Sequence, residues 1–305
     1  MDILLAILTI SGLCLFETIS SIDNAIINAN VLATMGKRAR RWFLSWGLLF
    51  AVFIVRGFLP LLIVWMSAPQ LGPLGALTAT FSSDPLVHQA IETAAPVLLM
   101  GGGVFLIFLF FHWIFLEPKN YGLKGERFIH RQGAWFFATV SIILAAIVWF
   151  ALQSNPMMAF GAVVGSTAFF ITHGFKQNAE QREKELKEQH LSDVSKLFYL
   201  EAIDATFSID GVLGAFAFTL AVPLILIGNG LGALVVREFT MRHIGSIKKY
   251  AYLKNGAMYS ILFLGMIMIA DSFGAEIPAW LSPIATFGIV GYFYWKSRRE
   301  MPAKR

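Results

Sequence analysis

Glu17-Thr18-Ile19-Ser20-Ser21-Ile22-Asp23-Asn24 and Asp204-Ala205-Thr206-Phe207-Ser208-Ile209-Asp210-Gly211 are two versions of one acidic phrase, each set in an apolar run. Aligned on Ser-Ile-Asp, Glu17 falls opposite Asp204 and Asp23 opposite Asp210, and Glu201 lies one turn before the second copy. An ionised carboxylate at the centre of a membrane-spanning helix costs roughly 2.5–3.5 kcal/mol on insertion scales. Five of them in two related segments predict a polar intramembrane site built from a duplicated unit.

The rest of the chain gives these phrases a membrane setting. It is 57% hydrophobic and only 14% charged, against about 25% charged for an ordinary soluble domain. Its apolar runs exceed the roughly 20 residues that cross a hydrocarbon core. A single cysteine, Cys14, excludes an intramolecular disulfide and a cysteine-based metal site. The net charge of +5 reads as loop bias in a membrane protein, and no basic patch interleaved with aromatics points to nucleic acid. The first apolar run lacks a basic flank and is interrupted by Glu17, so it is expected to stay as a helix rather than be cleaved.

The expected fold is all-α: a polytopic transmembrane bundle of about nine spans, near 3–33, 43–66, 94–116, 134–152, 157–175, 196–220, 222–241, 256–273 and 279–295. Apart from Arg56 and Arg237, every Lys and Arg falls in 37–41, 119–131, 176–196, 242–254 or 296–305. With nine spans these are the loops of one side plus the C-terminus. The positive-inside rule then puts the N-terminus outside and the C-terminus in the cytoplasm. The acidic phrases fall on spans one and six, which run in opposite directions. Each is followed by a helix with an intramembrane arginine, Arg56 or Arg237. Spans one to three and six to eight therefore read as inverted repeats of three helices, an arrangement that places transport sites near the midplane.

Five units follow: a first repeat at 1–116, linking helices four and five at 117–175, a charged cytoplasmic linker at 176–195, a second repeat at 196–273, and a last span with a basic tail at 274–305. The linker is rich in Glu–Lys pairs at i, i+4, such as Glu183 and Lys187, and reads as a solvated helix.

Helical spacing puts Glu17, Ser21, Asn24 and Asn28 on one face, and Glu201, Asp204 and Ser208 on another. Asp23 and Asp210 fall about 120° away. Either they line a second helix–helix contact or the helix unwinds near Ser-Ile-Asp, as transporter helices do at this depth. The donors are oxygens, with no His, Cys or Met in either phrase. Such a set suits hard divalent cations such as Mn²⁺, Mg²⁺ and Ca²⁺ rather than zinc or copper. Glu17, Asp23, Asn24, Glu201, Asp204 and Asp210 are the candidate ligands, and Arg56 and Arg237 the charge-tuning groups. Five carboxylates against two arginines leave an excess of negative charge that either a divalent cation or protons would offset, which suggests exchange of one for the other. Structural ion pairing is the plainer alternative.

Several features have simpler readings. Gly101-Gly102-Gly103, Gly161 with Gly165, and Gly228 with Gly232 fit close helix packing. His112, His173 and Asp271 read as interfacial residues, and Glu92 as a helix-start acid.

The phrase Glu-x-x-x-Ser-x-Asp-Asn, here Glu17 to Asn24, resembles the signature of the TerC-like integral membrane proteins, named for tellurium-resistance operons. The long form most resembles the branch catalogued as domain of unknown function 475. The resemblance spans both acidic repeats and the arginine helices. It implies a bacterial cytoplasmic (inner) membrane protein that exports a cation, manganese above all, with the metal as cargo and no tightly bound cofactor. The second copy departs from the pattern, with Gly211 in place of the Asn. Two other classes are alternatives: a stress-response or assembly partner without transport, and an intramembrane aspartyl hydrolase, whose Tyr-Asp and Gly-x-Gly-Asp motifs these phrases do not resemble. A transporter rather than an enzyme is expected, with lipid and a divalent cation as partners, no nucleic acid, and a homo-oligomer left open. The inverted repeat further predicts that the acidic faces of spans one and six converge, with Asp23 near Asp210 and both arginines in the same core.

Overall fold

A computed structural model describes residues 2–47, 50, 57–78, 85–188, 192–238 and 249–300, leaving aside the side chains of residues 23, 44, 67, 85, 88, 179–188 and 207. Among the described residues all regular structure is helical. The chain order is α1 Ile3–Ser20, α2 Ile22–Ala33, α3 Lys37–Trp42 with a π-helical turn Phe43–Gly47, α4 Leu59–Ser67, α5 Gly72–Thr78, α6 Pro85–Leu116 and α7 Glu126–Arg131. It continues with α8 Phe136–Ser154, α9 Pro156–Glu188, α10 Asp193–Ala215, α11 Val222–Glu238, α12 Leu253–Ser272 and α13 Leu281–Glu300. The all-α membrane bundle expected from the apolar runs is the observed architecture.

Five helical segments among the described residues are long and apolar enough to cross a bilayer: Ile3–Ser20, Gln89–Leu116, Gly133–Ser154, Pro156–Asn178 and Leu253–Ser272. A sixth arises if Leu59–Met66 and Pro69–Thr78, bent by 108°, count as one broken span. The shortfall from nine has physical reasons. α10 carries the acidic phrase and Lys196, α11 is only 17 residues long, and α13 ends in Lys296, Arg298, Arg299 and Glu300. The expected span 43–66 lies partly outside the described residues. The expected single span 3–33 is divided at Ser21. The charged segment after residue 176 is the direct extension of α9, a continuous helix of 33 residues.

α6 is the pillar of the bundle, gripped by α9 on one side and α12 on another. Glycines allow both contacts. A Cβ on Gly165 would stand 2.0 Å from the carbonyl oxygen of Gly101, and one on Gly101 2.9 Å from that of Gly161. Across the other seam, Gly103 and Gly265 face each other's backbone at 3.0 and 3.1 Å by the same measure. Small residues bring membrane helices close enough for dispersion and weak polar contacts to hold them, since lipid offers no hydrophobic gain. Trp113, Phe105, Phe108, Phe136 and Phe169 are fully buried around this pillar. By contrast, Phe137, Ile142, Trp149 and Phe150 on α8 are exposed, the lipid-facing surface of a spanning helix.

Local chemistry sets the ends. Asn155 Oδ1 accepts from the Met157 amide at 2.9 Å at the start of α9, and Ser192 Oγ accepts from the Ser195 amide at 3.2 Å at the start of α10. Both satisfy amides that a helix leaves unpaired. α12 ends in a left-handed Gly274 (φ 85°), with Ala275 N bonded to Ala270 O at 3.1 Å. Asp271 Oδ1 then accepts from the Ile277 amide at 2.9 Å, so Asp271 holds this turn.

Replacing Gly165 with Val is expected to prise α9 from α6 and cost about 1–3 kcal/mol. Gly174→Ala, where a Cβ meets nothing within 4 Å, is expected to leave stability unchanged. Thermal unfolding of the two purified variants in detergent checks the pair.

Candidate functional site

The first acidic phrase sits on a helix break. Ser21, at φ −86° and ψ 4°, separates α1 from α2. Its hydroxyl donates to Glu17 Oε1 at 2.7 Å and its amide to Glu17 O at 3.1 Å. Glu17, Ser21, Asn24 and Asn28 are all buried, as their shared face predicts. Asn28 Oδ1 is buried without a hydrogen-bond partner among the described residues. In the second copy α10 runs unbroken through the phrase, and Ser208 Oγ donates to Asp204 O at 2.6 Å. The two alternatives left open by the helical wheel are thus divided: unwinding in the first copy, a second helix contact in the other.

The two phrases meet. Asn24 Nδ2 donates to Asp204 Oδ1, with both side chains buried. Glu17 is fully buried and occupies a slot made by two glycines. A Cβ on Gly211 would stand 2.4 Å from Glu17 Oε2, and one on Gly232 would stand 2.6 Å from Glu17 Cβ. This explains the departure of the second copy from the first. The position matching Asn24 is Gly211 because the Glu17 carboxylate fills the space a side chain would take. The contact is repeated crosswise by Glu201, whose Oε1 would lie 2.1 Å from a Cβ on Gly47. Both Glu201 carboxylate oxygens are buried without a hydrogen-bond partner among the described residues.

Asp210 points elsewhere. It forms a buried ion pair with Lys176 of α9, a residue the sequence placed in the solvated linker. Asp23 occupies α2, but its side chain lies outside the described set, as does Arg56 altogether. The expected approach of Asp23 to Asp210 therefore falls outside the described residues. Arg237, in the last turn of α11, is half-buried, and its Nε is buried without a hydrogen-bond partner among the described residues. It has no ion pair with the acids among the described residues. The structure thus joins Asn24 to Asp204, packs Glu17 against Gly211 of the second phrase, and leaves Asp210 to Lys176. Among the described residues no three His, Cys, Asp or Glu side chains are arranged to hold a metal ion.

A cavity of about 770 Å³ adjoins the break. Ser20, Asp210, Lys176, His112, His173, Glu117 and Lys254 supply its polar lining. His112, read from sequence as interfacial, is buried, and its ring centroid lies 3.8 Å from that of His173. Its Nδ1 is 3.4 Å from Glu117 Oε1, while Lys254 Nζ is 2.7 Å from Glu117 Oε2. Burial alone would raise the pKa of Glu117, but the close approach of His112 and the charge and hydrogen bond of Lys254 outweigh it and hold the carboxyl well below the usual range. Nearby, burial pulls Lys119 down to about 8. At the same end Glu126 is buried and accepts from the Gly122 amide at 2.7 Å, Asn255 Nδ2 at 3.0 Å and Tyr259 Oη at 3.0 Å. It ties the 117–126 loop to α12. Glu117, Glu126, Lys176 and the histidines carry no motif, so only tertiary contact reveals them.

The helical bundle, its lipid-facing aromatics and its buried polar core define an integral membrane protein. The family model described as "Protein of unknown function (DUF475)" matches residues 22–301, and the chain belongs to that family. The "Uncharacterized membrane protein YceF" of Bacillus subtilis (strain 168) is 34% identical over 104 residues, covering 33% of this chain. The match spans 40% of that protein's length. No solved structure matches the chain.

Two outcomes are expected from these contacts. Gly211→Ala should cost about 1–3 kcal/mol by crowding Glu17, and Glu17→Ala in the same chain should return most of that loss. Thermal unfolding of the single and double variants reads the coupling, and strictly additive losses would contradict the shared slot. Glu117 has a depressed folded pKa, so its ionised form stabilises the fold above the unfolded value and the gain fades as pH falls through the folded one. The stability deficit of Glu117→Gln should accordingly be present at pH 7 and shrink on acidification below about 4.3, as followed by unfolding at a series of pH values.

Proposed function

We propose that this membrane protein transports a hard divalent cation, with manganese the leading candidate, and exports it from the bacterial cytoplasm in exchange for protons. The observation that carries the reading is the meeting of the two acidic phrases. Asn24 of the first phrase donates to Asp204 of the second in the buried interior, Glu17 is buried one turn before the helix break with Ser21 on its carboxylate, and Glu201 lies one turn before Asp204. Carboxylates brought into a bilayer are functional candidates by default. Their oxygens are donors that Mn²⁺, Mg²⁺ and Ca²⁺ accept.

The acids engage Ser21 and Asn24 in pairs rather than forming a closed cage. A site that must load and release its cargo uses protein oxygens that exchange partners, with water completing the shell. The chain's own groups then have distinct tasks. Glu17 and Asp204 supply charge, Asn24 bridges the two phrases, and Glu201 offers a further carboxylate toward the start of α10. The glycines at 47, 211 and 232 keep the space that these side chains need. The resemblance to TerC-like proteins supports manganese as cargo, and the positive-inside pattern supports a cytoplasmic C-terminus.

Purified protein in proteoliposomes tests this directly. With Mn²⁺, Mg²⁺, Ca²⁺ and Zn²⁺ compared at two pH values, Mn²⁺ flux opposed by protons is expected. Glu17→Gln and Asp204→Asn should each lower it by about tenfold to a hundredfold, the scale on which metal sites respond to loss of a supporting group. Flux unchanged in both variants, or no flux of any of the four cations in the wild type, would overturn the proposal.

A further inference from the structure

The cavity beside the helix break holds titratable groups that the cation site does not use. His112 on α6 and His173 on α9 stand ring to ring, with centroids 3.8 Å apart. Phe169 stacks on His173 at 5.8 Å and Phe136 meets His112 edge-on at 5.5 Å, so both rings are walled by apolar surface except where they face the cavity. Charged groups approach from each neighbouring element. Glu117, just past α6, lies 3.4 Å from His112 Nδ1. Lys254 of α12 is held by Glu117 at 2.7 Å. Lys176, one turn beyond His173 on α9, is held by Asp210 of α10. Lys119 turns away, donating to Trp113 O and lying over the Trp113 ring.

We propose that His112 and His173 form a shared proton-binding site, distinct from the cation site, through which proton binding is communicated to α10. Two imidazoles this close do not both hold a proton easily, because like charges repel. Glu117 provides the counter-charge that lodges the proton on His112. When His112 passes it to His173, one N–H bond breaks, another forms, and the net charge of the cavity is unchanged. Positive charge has then moved one helical turn from Lys176. Repulsion weakens the hold of Lys176 on Asp210, and Asp210 shares α10 with Asp204. His112, His173, Glu117, Lys176, Lys254 and Asp210 line the same cavity, which is polar enough and large enough for water to complete the connections. The coupling role rests on the proposed exchange of cation for protons; the proton site itself does not.

The experiment has two arms on the intact protein. In the first, NMR of ¹⁵N-labelled histidines in detergent micelles follows both rings against pH. His112→Gln is expected to move the titration midpoint of His173 by about one pH unit or more, and His173→Gln to do the same to His112. Midpoints unmoved in both variants would overturn the site. In the second, a pyranine signal in proteoliposomes reads proton counterflow against imposed Mn²⁺. It should fall by roughly tenfold or more when both rings are replaced by Gln, and external imidazole should restore it in His173→Ala. Should the double variant fail to insert, His173→Gln alone carries this arm, since His173 is only half-buried. Counterflow unaffected by the replacement would overturn the coupling role. A coupled titration with no wild-type cation flux would instead remove the transport reading and leave the proton site standing.

Discussion

A carboxylate in the low-dielectric interior of a membrane bundle must be given hydrogen bonds, a counter-charge or a cargo ion. The structure around Glu17 answers that demand. Its fully buried carboxylate accepts from Ser21, and its body lies in a slot that exists because residues 211 and 232 are glycine. That slot fixes how closely α1 approaches both α10 and α11. At the break the hydroxyl of Ser21 donates to the Glu17 carboxylate, while its amide keeps the ordinary i to i−4 bond to Glu17 O. Beyond it, Asn24 on α2 reaches Asp204 on α10.

The two acidic phrases are similar in sequence, and the fold gives them different work. The first breaks its helix; the second does not. The first keeps Asn24 as a bridging donor, while the second has lost its counterpart to make room for Glu17. Asp210 is paired with Lys176 of α9. An asymmetric pair of this kind suits a site that must be complete in one arrangement of the repeats and open in another. Two copies with identical environments would offer no preferred state for a cargo ion or a proton to bias.

Much of this was legible in the sequence. Apolar runs sufficed for the all-α membrane bundle, and the spacing of Glu17, Ser21, Asn24 and Asn28 was enough to place them together on a buried face. The small-residue pairs 161/165 and 228/232 were read correctly as close helix contacts. Other features could not be read locally. Whether the helix breaks at Ser21 or turns a second face to a neighbour depends on what packs against it. Lys176 looked like the first residue of a solvated linker because the charge density rises there; only the continuation of α9 brings it back against Asp210. His112 and His173 are 61 residues apart in a chain with no metal or catalytic spacing to link them. Span counting from hydropathy treated charged α10 and short α11 like the apolar helices, although a buried polar core is what excuses their charge.

The central claim is that both acidic phrases contribute to a single buried oxygen site. Electron paramagnetic resonance of the unbound Mn²⁺ aquo-ion, in a titration of the purified protein, measures it directly. The account predicts one Mn²⁺ site per chain, abolished or strongly weakened by Glu17→Gln in the first phrase and equally by Asp204→Asn in the second. Wild-type binding that persists unchanged when either phrase alone loses its carboxylate would contradict it.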